Sequence, residues 1–354
     1  MLLCYWCFGY GAWLCLALML AAGIIAHHQK LSALLAAGIL LLPATQYPAT
    51  TWWSKPDLDR EYVLSLDVEH YFGNIQKMRK HLETDRNLYN ATHPSEINSP
   101  VSLSRNLLAW NQPGTNGLIL PVNPSASFLS ILFANELWFT LGDMTMAEHC
   151  AMLSMIFSPR NSGSRMIKRL AEINLVNGDD EAALKYLRIL DKTLLHKSWA
   201  EKRIPGQQTP RVKEWLEKKR RDIPTQDHLR SGNDAVTSLR NLVASNAGNL
   251  RAYEYLLCYH LLSKDLRSFV EDYVPGKVSS SIFAEALLIH LARQGNIRAE
   301  ELIKYQIPVK IAKEFADYTR LYEAKDTSLK EKYGKTYWFY YHFATTEPGK
   351  ESKP

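Results

Sequence analysis

The chain has 354 residues, with 42 Lys+Arg against 36 Asp+Glu for a net charge of +6. A composition of 46% hydrophobic and 22% charged residues excludes a disordered or low-complexity chain. Residues 1–53 hold a single charged side chain, Lys30, so neither a wholly soluble nor a wholly embedded protein fits.

Residues 1–53 form a membrane region in this reading. Leu2 to Ala26 run without a charge, and about 20 helical residues suffice to cross the hydrocarbon of a bilayer. His27-His28-Gln29-Lys30 interrupts the run. Leu31 to Ala44 continues it, and with Thr45 to Trp53 added it reaches spanning length, Trp52-Trp53 marking the far interface. The second stretch also fits a re-entrant or surface-lying helix. A cleaved signal peptide is rejected, because nothing before Lys30 is basic and the apolar run is too long. Cys4-x-x-Cys7 lacks a partner pair and an aqueous setting, so the thiols are expected to be buried small hydrophobes.

From residue 54 to 354 the apolar spacing of three and four predicts an all-α domain. In chain order, helices are expected at 58–72, 74–84, 125–141, 145–157, 164–177, 181–196, 210–221, 234–245, 250–263, 266–274, 279–294, 298–304 and 309–324. A Pro/Gly-rich insertion at 88–125 surrounds a short helix, Leu103–Trp110, as an ordered or mobile loop. Breakers stand where turns belong: Gly142-Asp143, Gly178-Asp179, Lys264-Asp265 and Gly295-Asn296. A weaker early copy surrounds Gly73-Asn74.

Glycine at a helix end accepts a left-handed backbone, and a small residue five positions later (Ala147, Ala183) lets antiparallel helices approach. The separations, 36 residues from Gly142 to Gly178 and 31 from Lys264 to Gly295, bracket the roughly 34 residues of a tetratricopeptide repeat. The expected fold is therefore an N-terminal transmembrane helix or hairpin followed by an irregular tetratricopeptide-like α-solenoid. In the later copies Phe269 and Glu300 replace the small residue.

Residues 197–230 carry ten Lys/Arg and five Asp/Glu. Their densest point, Lys218-Lys219-Arg220-Arg221, is a candidate contact for anionic lipid, against the plainer reading of a solvated helix face. Nucleic acid is not expected as a partner, since no recognition motif accompanies the charge. Tyr253, His260 and His290, on first helices of their repeats, are candidates for a partner groove, with half-buried packing as the alternative. His27-His28 point about 100° apart on a helix and make a poor metal site. The hydrolase, phosphate-loop and dinucleotide signatures are missing, so no catalytic, cofactor-binding or metal residue is assigned. The aromatic end, from Tyr333 to Phe343, is expected to cap the stack, with a membrane-interface or peptide surface as alternatives.

Asn135-Glu-Leu-Trp-Phe-Thr-Leu-Gly-Asp-Met-Thr-Met-Ala-Glu-His149, then Phe157-Ser-Pro-Arg160 and Arg165-Met-Ile-Lys-Arg-Leu-Ala-Glu-Ile-Asn-Leu-Val-Asn-Gly178, resemble an uncharacterised family of Bacteroides-type integral membrane proteins with N-terminal spans and a tetratricopeptide-like tail. The resemblance covers about Leu58 to Phe343 and implies no activity, cofactor or catalytic residue. Members look longer at the N-terminus, so a shortened form of a multi-span protein is one reading of this chain. The expectation for function is a protein-binding scaffold or adaptor at a bacterial inner membrane. It would hold lipid through residues 2–53 and a protein or peptide on the repeat domain, with the tail leaning periplasmic. The alternative is an accessory or fragmentary subunit of a membrane glycosyl-transfer enzyme.

Overall fold

The computed structural model describes residues 103–108, 114–120, 128–157, 163–225 and 235–344, with the single positions 65, 68, 69, 74, 77 and 122. The expected membrane runs within residues 2–53 lie outside the described residues. The chain divides into two units, Met1–Asn74 and Ile75–Pro354. In the first, the Asn74 amide donates to the Glu69 carbonyl five residues back (2.8 Å), the bond that closes a helix in a Schellman turn.

In the second unit the described residues form fifteen α-helices and no strand, and none of these helices is long and apolar enough to cross a membrane. The helices are α1 (Leu103–Asn106), α2 (Phe128–Leu141), α3 (Met144–Phe157), α4 (Ser164–Asn177), α5 (Asp180–Asp191), α6 (Lys197–Glu201), α7 (Pro210–Arg220), α8 (Ala235–Ser245), α9 (Leu250–Leu262), α10 (Leu266–Asp272), α11 (Ser281–Arg293), α12 (Ala299–Lys304), α13 (Val309–Glu323), α14 (Leu329–Tyr333) and α15 (Tyr337–Phe343). In the first half α2 packs on α3, α3 on α4, α4 on α5 and α5 on α6, and α7 returns to α4. In the second half α8 packs on α9, α9 on α10, α10 on α11, and α11 meets α13 and α15.

The four expected turns form, by one mechanism. Gly142 (φ 95°), Gly178 (φ 82°), Lys264 (φ 59°) and Gly295 (φ 64°) take the left-handed conformation. The next residue then donates its amide five residues back: Asp143 to Trp138, Asp179 to Asn174, Asp265 to His260 and Asn296 to Leu291, all at 2.9–3.0 Å. In three of them the aspartate also caps the following helix, accepting from Met146 (2.8 Å), Ala182 (2.9 Å) and Ser268 (3.0 Å). Ala147 and Ala183 are completely buried, as close helix contact requires. Gln306 (φ 54°) and Lys325 (φ 53°) end α12 and α13 in the same way; neither carries a glycine to betray it.

The insertion at 88–125 is ordered where described and belongs to the core. Leu103, Leu107 and Leu118 are buried, and α1 lies against α9 and α11. The Glu254 carboxylate accepts from the Ser104 amide (3.0 Å) and hydroxyl, and the Tyr255 hydroxyl donates to the Leu118 carbonyl.

The two halves meet at Asn249, 1% exposed. Its Oδ1 caps α9 by accepting from Ala252 N–H (2.9 Å). Its Nδ2 donates to the carbonyls of Leu141, at the end of α2, and Asp222 (both 2.8 Å). Gly142 sits against the same point. A Cβ there would overlap the Asp222 carbonyl oxygen.

Two helices, α6 and α14, lie where none was expected, while α15 is the last helix expected at the aromatic end. The helix expected over 181–196 stops at Asp191. There Thr193 Oγ1 donates to Leu190 O (2.7 Å) and accepts from His196 N–H (3.2 Å), so the side chain replaces a turn of backbone bonding. The aromatic end is a lid on the second half. Tyr337 and Trp338 are 0% and 1% exposed. The Tyr337 and Tyr340 hydroxyls donate to Leu261 O and Leu262 O (both 2.9 Å), carbonyls in the last turn of α9. The Glu285 carboxylate accepts from Tyr337 N–H (2.6 Å) at the start of α15. Burial pushes the Glu285 carboxyl up to about 7, with Glu314 adding to the effect, although the Tyr337 hydrogen bond opposes it.

Two outcomes follow for equilibrium unfolding in urea. Gly178→Ala strains a left-handed turn in open space and costs about 1 kcal/mol, whereas Gly142→Ala adds a backbone overlap and costs about 3 kcal/mol or more. Glu285 binds its proton more tightly in the folded chain, so its ionisation removes stability as pH rises from about 4.5 to about 7. Glu285→Gln keeps an acceptor for Tyr337 and removes the charge. It raises the unfolding free energy at pH 8 by up to about 3 kcal/mol and leaves it unchanged at pH 4.

Candidate functional site

Helix α2 is apolar on almost every side, as expected of a helix packed all round. Among its polar residues Asn135 (0% exposed) and Glu136 (9%) are both buried. A buried carboxylate needs compensation, and α4 supplies it with two arginines one turn apart. Arg165 Nη2 lies 2.9 Å from Glu136 Oε1, and Arg169 Nη2 pairs with Glu136 Oε2. Arg169 also donates to Asn135 Oδ1 (3.2 Å) and Glu172 Oε2 (3.0 Å), and its guanidinium lies 3.8 Å from the centre of the Phe139 ring. Burial pushes the Glu136 carboxyl up, but the charges and hydrogen bonds of Arg169 and Arg165 outweigh it and hold it at about 2. This network is saturated; it fixes α4 on α2.

Beside it lies a cationic pair that is not saturated. Lys219, from α7, places its ammonium 4.7 Å from the Phe139 ring centre, with Trp215 stacked on the same ring at 6.3 Å. No hydrogen bond or ion pair from the described residues reaches it. Burial, helped by Arg169 and Arg251 and opposed by Asp222 and Glu172, lowers the Lys219 ammonium to about 8. Arg251, from α9, donates to Thr140 O (3.1 Å) and stands 3.9 Å from Asp222 Oδ2. Its Nε is buried and finds no partner among the described residues. Lys219 and Arg251 thus keep unused donors at the seam between the halves. The chemistry on offer is recognition of a carboxylate or phosphate, with Lys219 able to release a proton near neutral pH.

Lys218, Arg220 and Arg221 are exposed, and Lys219 is half-buried. Lys219 turns onto Phe139. Arg220 reaches back to Leu175 O (2.7 Å) and Val176 O (3.1 Å), closing the end of α4. Successive helical residues point in different directions, so a run of charge in sequence is divided among faces.

The expected partner groove at Tyr253, His260 and His290 is not a groove. Tyr253 and His260 are each 2% exposed, because α9 is a central helix with neighbours on several sides. The Tyr253 hydroxyl bridges α10 and the chain beyond it, donating to Asp272 O (3.0 Å) and accepting from Val274 N–H (2.7 Å). His260 Nε2 lies 2.8 Å from Asp272 Oδ2, which also accepts from Arg240 Nε (2.9 Å). His290 is half-buried on α11 and accepts from the Gln294 amide (3.0 Å). Among the described residues no three His, Cys, Asp or Glu side chains are grouped to hold a metal ion. The Cys150 and Cys258 side chains are buried in the core.

Glu136, Arg169 and Arg251 escaped the sequence reading. Two signals pointed to them: an acid inside an otherwise apolar helix, and two arginines four apart on the helix that follows the next turn.

Residues 33–344 match a family described as a family of unknown function (DUF6057), and the chain belongs to that family. No curated protein and no solved structure matches it.

Lys219 binds its proton less tightly folded than unfolded, so its contribution to stability is unfavourable below about pH 8 and fades as pH rises toward 10.5. Lys219→Met keeps the apolar stem over Phe139 and removes the charge. Thermal melts should show it more stable than the parent by about 3–6 °C at pH 7 and level with it near pH 10. Millimolar inorganic phosphate should raise the melting temperature of the parent and not of this variant.

Proposed function

We propose that the chain is a membrane-anchored helical-repeat adaptor that holds a protein or peptide partner at a bacterial inner membrane. In this reading residues 2–53 lie in the lipid, and the helical unit, an irregular tetratricopeptide-like solenoid, stands on the periplasmic side. The observation that carries it is the layering. Two successive hairpins share one kind of turn, 36 residues apart at Gly142 and Gly178, and the first packs on the second where Ala151 of α3 is buried with Met166 and Leu170 of α4. Stacks of that kind bury their own core and leave extended outer surfaces for recognition. The charge-free run of residues 2–26 supports the anchor. Lys219 supplies contact chemistry at the seam, where an ammonium with no hydrogen-bond or ion-pair partner among the described residues suits an acidic group on the partner.

The test is photocrosslinking in living cells with benzoylphenylalanine in place of exposed Lys218. A discrete adduct of higher mass is expected, lost when Lys219→Glu is added. The absence of any adduct, or one indifferent to Lys219→Glu, overturns the reading. Sidedness is checked with a single Cys replacing exposed Asn177 after Cys4, Cys7 and Cys15 are changed to Ala. Cys150 and Cys258, fully buried, stay silent in the folded chain. An impermeant maleimide should label the Cys at 177 in intact cells, and labelling only after lysis would place the helical unit in the cytoplasm.

A further inference from the structure

Helices α3, α4 and α5 alternate in direction, so their ends fall into two sets. At one end stand the turns Gly142-Asp143 and Gly178-Asp179, whose polar groups are internally bonded. At the other end stand the last turn of α3, the start of α4 and the turn after α5. That second end is apolar and uncovered: Ile156 is 63% exposed, Phe157 53%, Leu194 97% and Leu195 85%.

The exposure of Leu194 is built in. Leu187 and Leu190 are buried on α5, and Leu194 falls four residues further along the same stripe. A helix continued through His196, as the periodicity predicts, would carry Leu194 along that stripe. Thr193 prevents this by bonding Leu190 O and His196 N–H. The chain turns out, and both leucines stand in solvent.

The surroundings carry net positive charge. Residues 185–203 hold Lys185, Arg188, Lys192, Lys197, Lys202 and Arg203 against Asp191 and Glu201. Trp199, half-buried beside the turn, has the Lys168 ammonium 4.8 Å and the Arg203 guanidinium 4.0 Å from its ring centre. A protruding pair of leucines, a tryptophan and a basic rim match the layers of an anionic bilayer surface: leucine in the acyl region, tryptophan at the boundary, cations among the headgroups.

We propose that the Leu194-Leu195 turn, with Ile156 and Phe157 beside it, is a membrane-docking tip for anionic lipid. It is a lipid contact of the helical unit itself, separate from residues 2–53, and it lies on a different segment from Lys218–Arg221.

The test uses the full chain with Cys4, Cys7 and Cys15 changed to Ala and Leu195→Cys carrying an environment-sensitive NBD dye. The side chain at 195 is exposed, so the change leaves the core intact. The protein is reconstituted with vesicles of phosphatidylcholine containing phosphatidylglycerol, and a parallel sample carries the dye at Asn177→Cys, beside the opposite end. The dye at 195 should shift to the blue, and its emission should be more than halved by nitroxide-labelled lipid. The dye at 177 should respond to neither. Pure phosphatidylcholine, or the triple change Lys192→Glu, Lys197→Glu and Lys202→Glu, should abolish the response. A dye at 195 that stays in water with phosphatidylglycerol overturns the proposal, as does an equal response in pure phosphatidylcholine. A shift seen only in native membrane fragments, and not in protein-free vesicles, would assign the tip to a protein and overturn it too.

Discussion

The hydrogen bonds of Asn249 join the two halves of the helical unit, and much else depends on them. One buried amide group caps α9, satisfies a carbonyl at the end of α2 and holds the chain at Asp222. An unpaired buried carbonyl costs on the order of 1–3 kcal/mol, so replacing Asn249 with an apolar residue would leave at least two such groups exposed to that cost. The site also dictates its neighbour. The Asp222 carbonyl approaches Gly142 so closely that no side chain fits there, and Gly142 must in addition take a left-handed conformation to end α2. Two independent demands thus fall on one glycine, whereas Gly178, with the same conformation and open space around it, answers only one.

Charge is handled in two ways around that junction. Glu136 is buried with two guanidiniums, and Arg169 spends its donors on three side-chain partners. Such an arrangement costs little once formed and a great deal when one partner is removed. Lys219 is buried against Phe139 without such a partner, and its ammonium is correspondingly easier to deprotonate. Folding alone would favour an apolar residue at 219. A cation kept in that position, beside Arg251 with an unused Nε, is the kind of local cost that accompanies binding sites.

Much of the fold was legible in the sequence because it is local. The Gly-Asp and Lys-Asp turns need only a left-handed residue followed by a capping side chain, and all four form. Most helix limits fall within one or two residues of the spacing, since capping and periodicity are also local. What could not be read was which helices are central. The spacing of α9 gives no hint that α1, drawn from the Pro/Gly-rich insertion, covers one of its sides, nor that α8 and α10 close over another and put Tyr253 and His260 in the interior. Helices α6 and α14 escaped because each is five residues long, too short to show a period.

The helix that stops short at Asp191 makes a different point. Periodicity placed Leu194 on a buried stripe, and the stripe is real: Leu187 and Leu190 lie on it, completely covered. Burying one more leucine is worth roughly 1.5–3 kcal/mol, and a single threonine side chain turns the chain away from that gain. A helix ends against its own hydrophobic pattern only where another demand is met. The neighbouring Gly178 turn shows what a purely structural ending looks like, with its polar groups internally bonded and no large apolar residue displayed. The ending after Asp191 bonds its backbone through Thr193 and displays two leucines within a basic segment. The difference between these two ends of one helix favours a lipid contact over loose packing.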